Sequence, residues 1–346
     1  MALLNITLVR VPGSEYSLQE SSVLRPQYFR HTHVIDRCAQ NFNARLSFAP
    51  CVSVRDPDTR DAGTHIAIAL QSQTDIDDCK GTVMNNETST TPDVLRCDVD
   101  GDGVAWITMD QPPVNALSAA LSDAITDCFD ALTDRRDVRV AVLTGAGRVF
   151  CAGADIKARQ YRTGEAGEPW RLNRAARECF HSIMECGKPV IAALNGPALG
   201  AGLAIAASCD MLVSGERGSL GLPEIDVGLL GGGRHAMRLF GHSRTRRMMF
   251  TGLRVQGPEL YRLGVAEACV ADDALHETAL ALAREVAAKS PEAIRLAKHA
   301  LNTIEEMSLR DGYRFEQNMT VALSSHPDSK EAMAAFVEKR AAHYDN

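Results

Sequence analysis

From Leu95 onward short apolar runs alternate with longer amphipathic stretches, whereas residues 1–83 show neither a helical nor a strand period. Residues 95–98 and 104–109 predict a hairpin, with Asp100-Gly101-Asp102-Gly103 supplying the turn. Ser118 is placed to cap a helix whose apolar face holds Leu121, Ile125, Phe129 and Leu132. Residues 138–143, 190–194 and 210–213 are largely apolar, as expected of strands covered on both faces. A helical stretch from about 170 to 185 separates the first two, and a small-residue helix ending at Ser208 separates the last two. Beyond Ser243 the spacing turns helical, over residues 272–288, 291–304, 308–323 and 329–342. The alternation predicts an α/β core with right-handed crossovers, followed by a helical C-terminal region.

Three segments follow from this pattern. Residues 84–285 are expected to form the core and 286–346 the helical C-terminal region. Residues 1–83 mix Pro, Ser, Thr, Asn and Asp with brief apolar pieces. They are expected to be an extension without a packed fold, or an over-called start, since the polar run 85–93 follows Met84. A small accessory domain is the alternative.

Composition narrows the function classes. The chain has 346 residues, 45% hydrophobic and 23% charged, enough for a sizeable core. A net charge of −7 and no basic stripe argue against a nucleic-acid or membrane-surface partner. No apolar run approaches the roughly 20 residues that span a bilayer. Ten scattered cysteines form no CxxC pair, so no metal site is expected; buried, reduced thiols in a cytoplasmic protein are. The N-terminus lacks a secretory pattern, and Glu15, Glu20 and Asp36 suit a transit peptide poorly.

Candidate chemistry sits in two small-residue turns, each just after a predicted buried strand. One is Phe150-Cys151-Ala152-Gly153-Ala154-Asp155-Ile156; the other is Asn195-Gly196-Pro197-Ala198-Leu199-Gly200-Ala201-Gly202. Small residues admit close approach to the backbone, and a helix start offers unpaired N–H groups. Two such turns at neighbouring strand ends can aim two N–H donors at one oxygen, forming an oxyanion hole. Neither turn is a nucleotide-binding fingerprint.

The segments DQPPVNAL (110–117), FCAGADIK (150–157), KPVIAALNGPALGAGLAIAASCD (188–210) and LGLPE (220–224), in this order, resemble the crotonase, or enoyl-CoA hydratase/isomerase, superfamily. The resemblance spans about 250 residues, from about Val94 to the end. It implies a crotonase-like spiral of ββα units and an acyl-coenzyme A substrate whose thioester enolate is stabilised. Coenzyme A then enters with the substrate, and no separate cofactor is implied. The backbone N–H groups of Ala154 and Ala201 match the oxyanion donors. Ala152, Gly153, Asp155, Ile156, Lys157 and Gly200 fall in the substrate-contacting stretches, and Phe336 and Lys339 match a C-terminal helix at the nucleotide end. A homotrimer or dimer of trimers is also implied.

The departures carry information. Family hydratases hold water between two glutamates; here the second is Glu224, but Ala204 stands at the first position. A single glutamate suits Δ3,Δ2-enoyl-CoA isomerisation, the favoured expectation. Hydration and hydrolytic opening of a β-keto, ring-derived acyl-CoA are the enzymatic alternatives. Arg234 and His235 follow three glycines where many relatives keep small residues. They could meet a polar end of the acyl group or simply start a solvent-facing helix. An inactive scaffold or RNA-binding relative is the non-enzymatic alternative. The acidic balance opposes the latter, and the intact motifs oppose the former.

Overall fold

This computed structural model describes residues 94–156 and 164–344. The extension expected over residues 1–83 and the side chain of Lys157 lie outside them.

The predicted hairpin forms as β1 (Leu95–Val99) and β2 (Val104–Met109). Asp100 holds the turn, its Oδ1 accepting from the backbone N–H groups of Asp102 and Val104. Helix α1 (Ala119–Asp134) starts at Ser118, whose Oγ accepts from Leu121 N at 3.1 Å. The four expected apolar positions of α1 are all buried. Then come β3 (Val140–Gly145), α2 (Glu168–Glu185) and β4 (Val190–Leu194).

From here the chain steps between two sheets. After β4 come β5 (Pro197–Leu199), α3 (Ala201–Ser208), β6 (Met211–Gly215) and β7 (Ser219–Gly221). Helices α4 (Gly233–Leu239) and α5 (His242–Thr251) lead to β8 (Arg254–Gln256), α6 (Gly257–Arg262) and β9 (Ala268–Val270). The larger sheet has the order β1-β2-β3-β4-β6-β9, with only β1 antiparallel to its neighbour; the smaller has β5-β7-β8. Thus β4 and β6 join the larger sheet while β5 and β7, which follow them, join the smaller. A parallel bridge from Cys151 to Ala198 brings the segment after β3 beside β5 in the same way.

The apolar runs are explained by burial on two faces. Ala141, Leu143, Ala192 and Leu194 pack in the layer of α1, α2 and α3. Val140, Val142, Ile191 and Ala193 face Leu275, Ala279 and Ala283 of α7 (Leu275–Ala287).

The C-terminal region is helical as expected: α8 (Pro291–Ile304), α9 (Leu309–Ser324) and α10 (Pro327–Glu338). The last differs from the expected 329–342. His326 caps its start, accepting from Asp328 N, and Lys339 ends it in a left-handed conformation with φ 56°. Four strands of three residues each, β5, β7, β8 and β9, have no counterpart in the sequence reading. A run of three is too short to display a period, and only pairing in the folded chain defines it.

Polar ties dock α8. Lys298 is buried; its Nζ donates to the carbonyls of Ile183 and Lys188 and lies 2.9 Å from Asp210 Oδ2. Asn302 donates to Met184 O.

Candidate active site

Two asparagines fix the loop that carries the first turn. Asn195, just after β4, donates to the carbonyls of Gly145 and Gly147 and accepts from Gly145 N. Buried Asn115 donates to the carbonyls of Ala146 and Val149 and accepts from Gln111 N. Both lie in the family-like segments, yet the sequence reading gave them no role. A polar residue in an otherwise apolar motif was the signal.

Backbone pairing then orients Ala154. Leu117 N donates to Gly153 O, and Asp155 N donates to Leu117 O. With both neighbours bonded on that side, the N–H of Ala154 points to the opposite side, as in any parallel bridge. Ala201 is the first residue of α3, so its N–H precedes the first intrahelical acceptor. The turns touch: a Cβ on Gly153 (φ 100°) would lie 2.7 Å from Leu199 O and 3.7 Å from Ala201 N. The first turn therefore lies against the start of α3, which brings the segments of Ala154 and Ala201 to one junction of the chain.

Glu224 completes the arrangement. It lies in a 3-10 turn, Pro223–Val227, directly after β7. A Cβ on Gly200 would sit 2.2 Å from Glu224 Oε1, so only glycine leaves room for the carboxylate beside the start of α3. Gly200 also has φ 55° and donates to Gly221 O at 2.9 Å, which ties that start to β7 and the glutamate after it. Gly231 flanks the same oxygen, 3.6 Å from its own would-be Cβ. Oε2 is buried. Glu224 thus lies beside the start of α3, where the two turns meet.

Ala204 is also buried. It lies one helical turn after Gly200, whose carbonyl accepts its N–H. Its Cβ leans toward the N-terminus of α3, so a carboxylate there would reach the same site; the alanine brings only a methyl group.

The remaining candidates divide. Ala152 donates its N–H to Val114 O, and Ile156 is exposed at the edge of the first turn. Arg234 forms an ion pair with Glu306 and lies 3.8 Å from Glu305, both just after α8. His235 stacks edge-on against Phe180 of α2, with ring centres 5.0 Å apart. Burial, with Arg238, His181 and Arg234 nearby, holds its pKa below the ordinary histidine value. Phe336 is 85% exposed and Lys339 is exposed, both away from the described turns in sequence and at the end of α10. Among the described residues no group of three or more His, Cys, Asp or Glu side chains could hold a metal, and no helix is long and apolar enough to cross a membrane.

Comparison with known proteins gives the family. A hydrolase of Mycobacterium tuberculosis, named for (7aS)-7a-methyl-1,5-dioxo-2,3,5,6,7,7a-hexahydro-1H-indene-carboxyl-CoA, is 37% identical over 73% of this chain and 98% of its own length. A probable mitochondrial enoyl-CoA hydratase of Dictyostelium discoideum is 33% identical over 70% of this chain and 88% of its own. The crystal structure of an enoyl-CoA hydratase from Bacillus anthracis superposes with a TM-score of 0.68 at 30% identity, covering 72% of this chain and 98% of that one. The enoyl-CoA hydratase/isomerase family model matches residues 100–346. With the paired turns and Glu224 in place, the chain belongs to the enoyl-CoA hydratase/isomerase family of the crotonase superfamily.

Proposed function

We propose that this acyl-CoA enzyme hydrolyses a β-keto acyl-CoA whose ketone lies in a ring, opening the ring at the carbon–carbon bond between ketone and thioester. The observation that carries this reading is Glu224 against Gly200 at the start of α3, with buried Ala204, not a second glutamate, one turn on. Two relatives, 37% and 35% identical, bear the name of a dioxo-hexahydroindene-carboxyl-CoA hydrolase, which supports it.

The chemistry needs one base. Glu224 takes a proton from water, and the hydroxide adds to the ring ketone. As the carbon–carbon bond breaks, its electron pair moves onto the thioester as an enolate. The N–H groups of Ala154 and Ala201 hold the enolate oxygen, at about 2.7–4 kcal/mol per donor in the transition state. Protonation at the α-carbon by the glutamic acid regenerates the base. Water is consumed, and the ketone carbon leaves as a carboxylate. Ordinary hydration of an enoyl thioester lacks its second carboxylate here. The isomerisation favoured by the sequence uses the same glutamate, but the names of relatives lean to hydratase and hydrolase.

In the same proposal, Ala152, Gly153, Asp155, Ile156, Lys157 and Gly200 line the thioester and its coenzyme A arm, with no cofactor beyond that coenzyme. Phe336 and Lys339 serve the nucleotide end, in a trimer or dimer of trimers working in the cytoplasm. Parallel incubations with a cyclic β-keto acyl-CoA, crotonyl-CoA and a 3-enoyl-CoA in 18O-labelled water test the reaction. Ring-opened acid carrying one 18O is the expected product. Faster turnover of the 3-enoyl-CoA without label uptake assigns isomerisation instead, and labelled 3-hydroxyacyl-CoA assigns hydration.

A further inference from the structure

Two cysteines outside the site face each other across β1 and α1. Cys97 lies between Leu95 and Val99, which both pack on the core, so strand alternation turns its side chain to that face. On α1, Cys128 follows Leu121 and Ile125 and precedes Leu132 at helical spacing, which places it on the inward stripe, partly covered. Each thiol is the largest influence on the other's ionisation, so the two lie side by side. Cys151, Cys179, Cys186 and Cys209 are buried as the sequence predicts; Cys97 is exposed, a departure from that expectation. It opens onto a cavity of about 630 Å³ that Arg135, Asp137 and Arg139 also line.

Exposure divides the two sulfurs by role. The Cys128 thiol lowers the Cys97 pKa most, burial opposes it, Arg135 lowers it, and Asp98 and Asp137 raise it, to about 7. The Cys97 thiol raises the Cys128 pKa most, with burial and the nearby Cys186 adding to it and Arg135 opposing. A peroxide meets the exposed Cys97 first, and Cys128 lies partly covered beside it, an attacking sulfur next to a resolving one.

We propose that Cys97 and Cys128 form a hydroperoxide-responsive thiol pair that closes to a disulfide linking β1 to α1. The Cys97 thiolate attacks one peroxide oxygen; the O–O bond breaks, and the departing oxygen leaves as water or alcohol after taking a proton. Cys97 becomes a sulfenic acid. The Cys128 sulfur then attacks the Cys97 sulfur, the S–O bond breaks, and the hydroxide leaves as water with the Cys128 proton. Two thiols are oxidised by two electrons and one peroxide is reduced.

The test treats the native full-length protein with stoichiometric hydrogen peroxide, followed by alkylation, digestion and peptide mass mapping. A Cys97–Cys128 cross-linked peptide, lighter by two hydrogens than its parts, is expected. Peptides bearing Cys38, Cys51 and Cys79 are resolved in the same map. In Cys128→Ser, oxidation stops at a Cys97 sulfenic acid that dimedone traps; in Cys97→Ser, Cys128 stays reduced. The reaction of Cys97 rises roughly tenfold between pH 6 and pH 8 and then levels, following its thiolate fraction. Both thiols remaining alkylatable after peroxide, a disulfide that maps to other cysteines, or a rate still climbing tenfold per pH unit above 8 overturns the proposal.

Discussion

Helices α3 and α9 are both regular, yet they meet opposite surroundings. In α3 every residue after Ala201 is buried, and all are small or aliphatic. In α9 only Gly312 is buried, while Leu309 is 91% exposed and Tyr313 and Val321 also face outward. The composition of α3 follows from close contact: a Cβ on Gly202 would lie 2.2 Å from Cys151 O, so the two turns meet only without one. Helix α9 touches its neighbour along one side only: Gly312 packs against Ile304 and Phe315 meets His299 edge-on at 5.7 Å, while Leu309, Tyr313 and Val321 stay outside. The contrast separates a helix enclosed on every side from one that keeps an outward apolar face.

The largest effect should come from the closed side. Glu224→Gln keeps shape but cannot take a proton, so turnover should fall about 10²–10⁴-fold while coenzyme A affinity holds. Steady-state kinetics beside a binding titration checks this. Near-normal turnover would move the base elsewhere, with His235 next to examine. Lys298→Ala strikes where α8 joins the core. It leaves Asp210 and two carbonyls without their buried cation, and unfolding by denaturant should show a loss of about 3–5 kcal/mol.

Smaller effects should come from the open side. Leu309→Asp with Phe336→Asp should shift the mass by light scattering toward a monomer. Each change alters subunit stability by no more than about 0.5 kcal/mol, since neither side chain is buried in the chain itself. An unchanged oligomer mass would leave this face without a subunit partner. The smallest effect concerns His235. Its folded pKa lies below the unfolded value near 6.5, so the unfolded chain takes the proton first as pH falls. This contribution is complete above pH 6.5 and is lost as pH drops toward the folded pKa. His235→Phe should flatten that part of the melting-temperature profile between pH 7 and pH 5.

The sequence by itself determined the α/β core, because buried strands must be apolar on both faces and amphipathic helices must repeat their stripe. It also determined the chemistry-bearing turns, since the small residues of 150–156 and 195–202 and the glutamate at 224 are readable as letters. Ala204 was readable as a missing carboxylate for the same reason. Only the tertiary structure decided what these letters meet. Glu224 lies 24 residues after Gly200, and the link between them is a pairing of β5 with β7, strands too short to show a period. The roles of Asn115 and Asn195 depend on carbonyls supplied by another segment, and Arg234 is bound by Glu306, 72 residues away. Local pattern records how a residue sits on its own element; which groups come within hydrogen-bonding distance is settled by packing between elements distant along the chain.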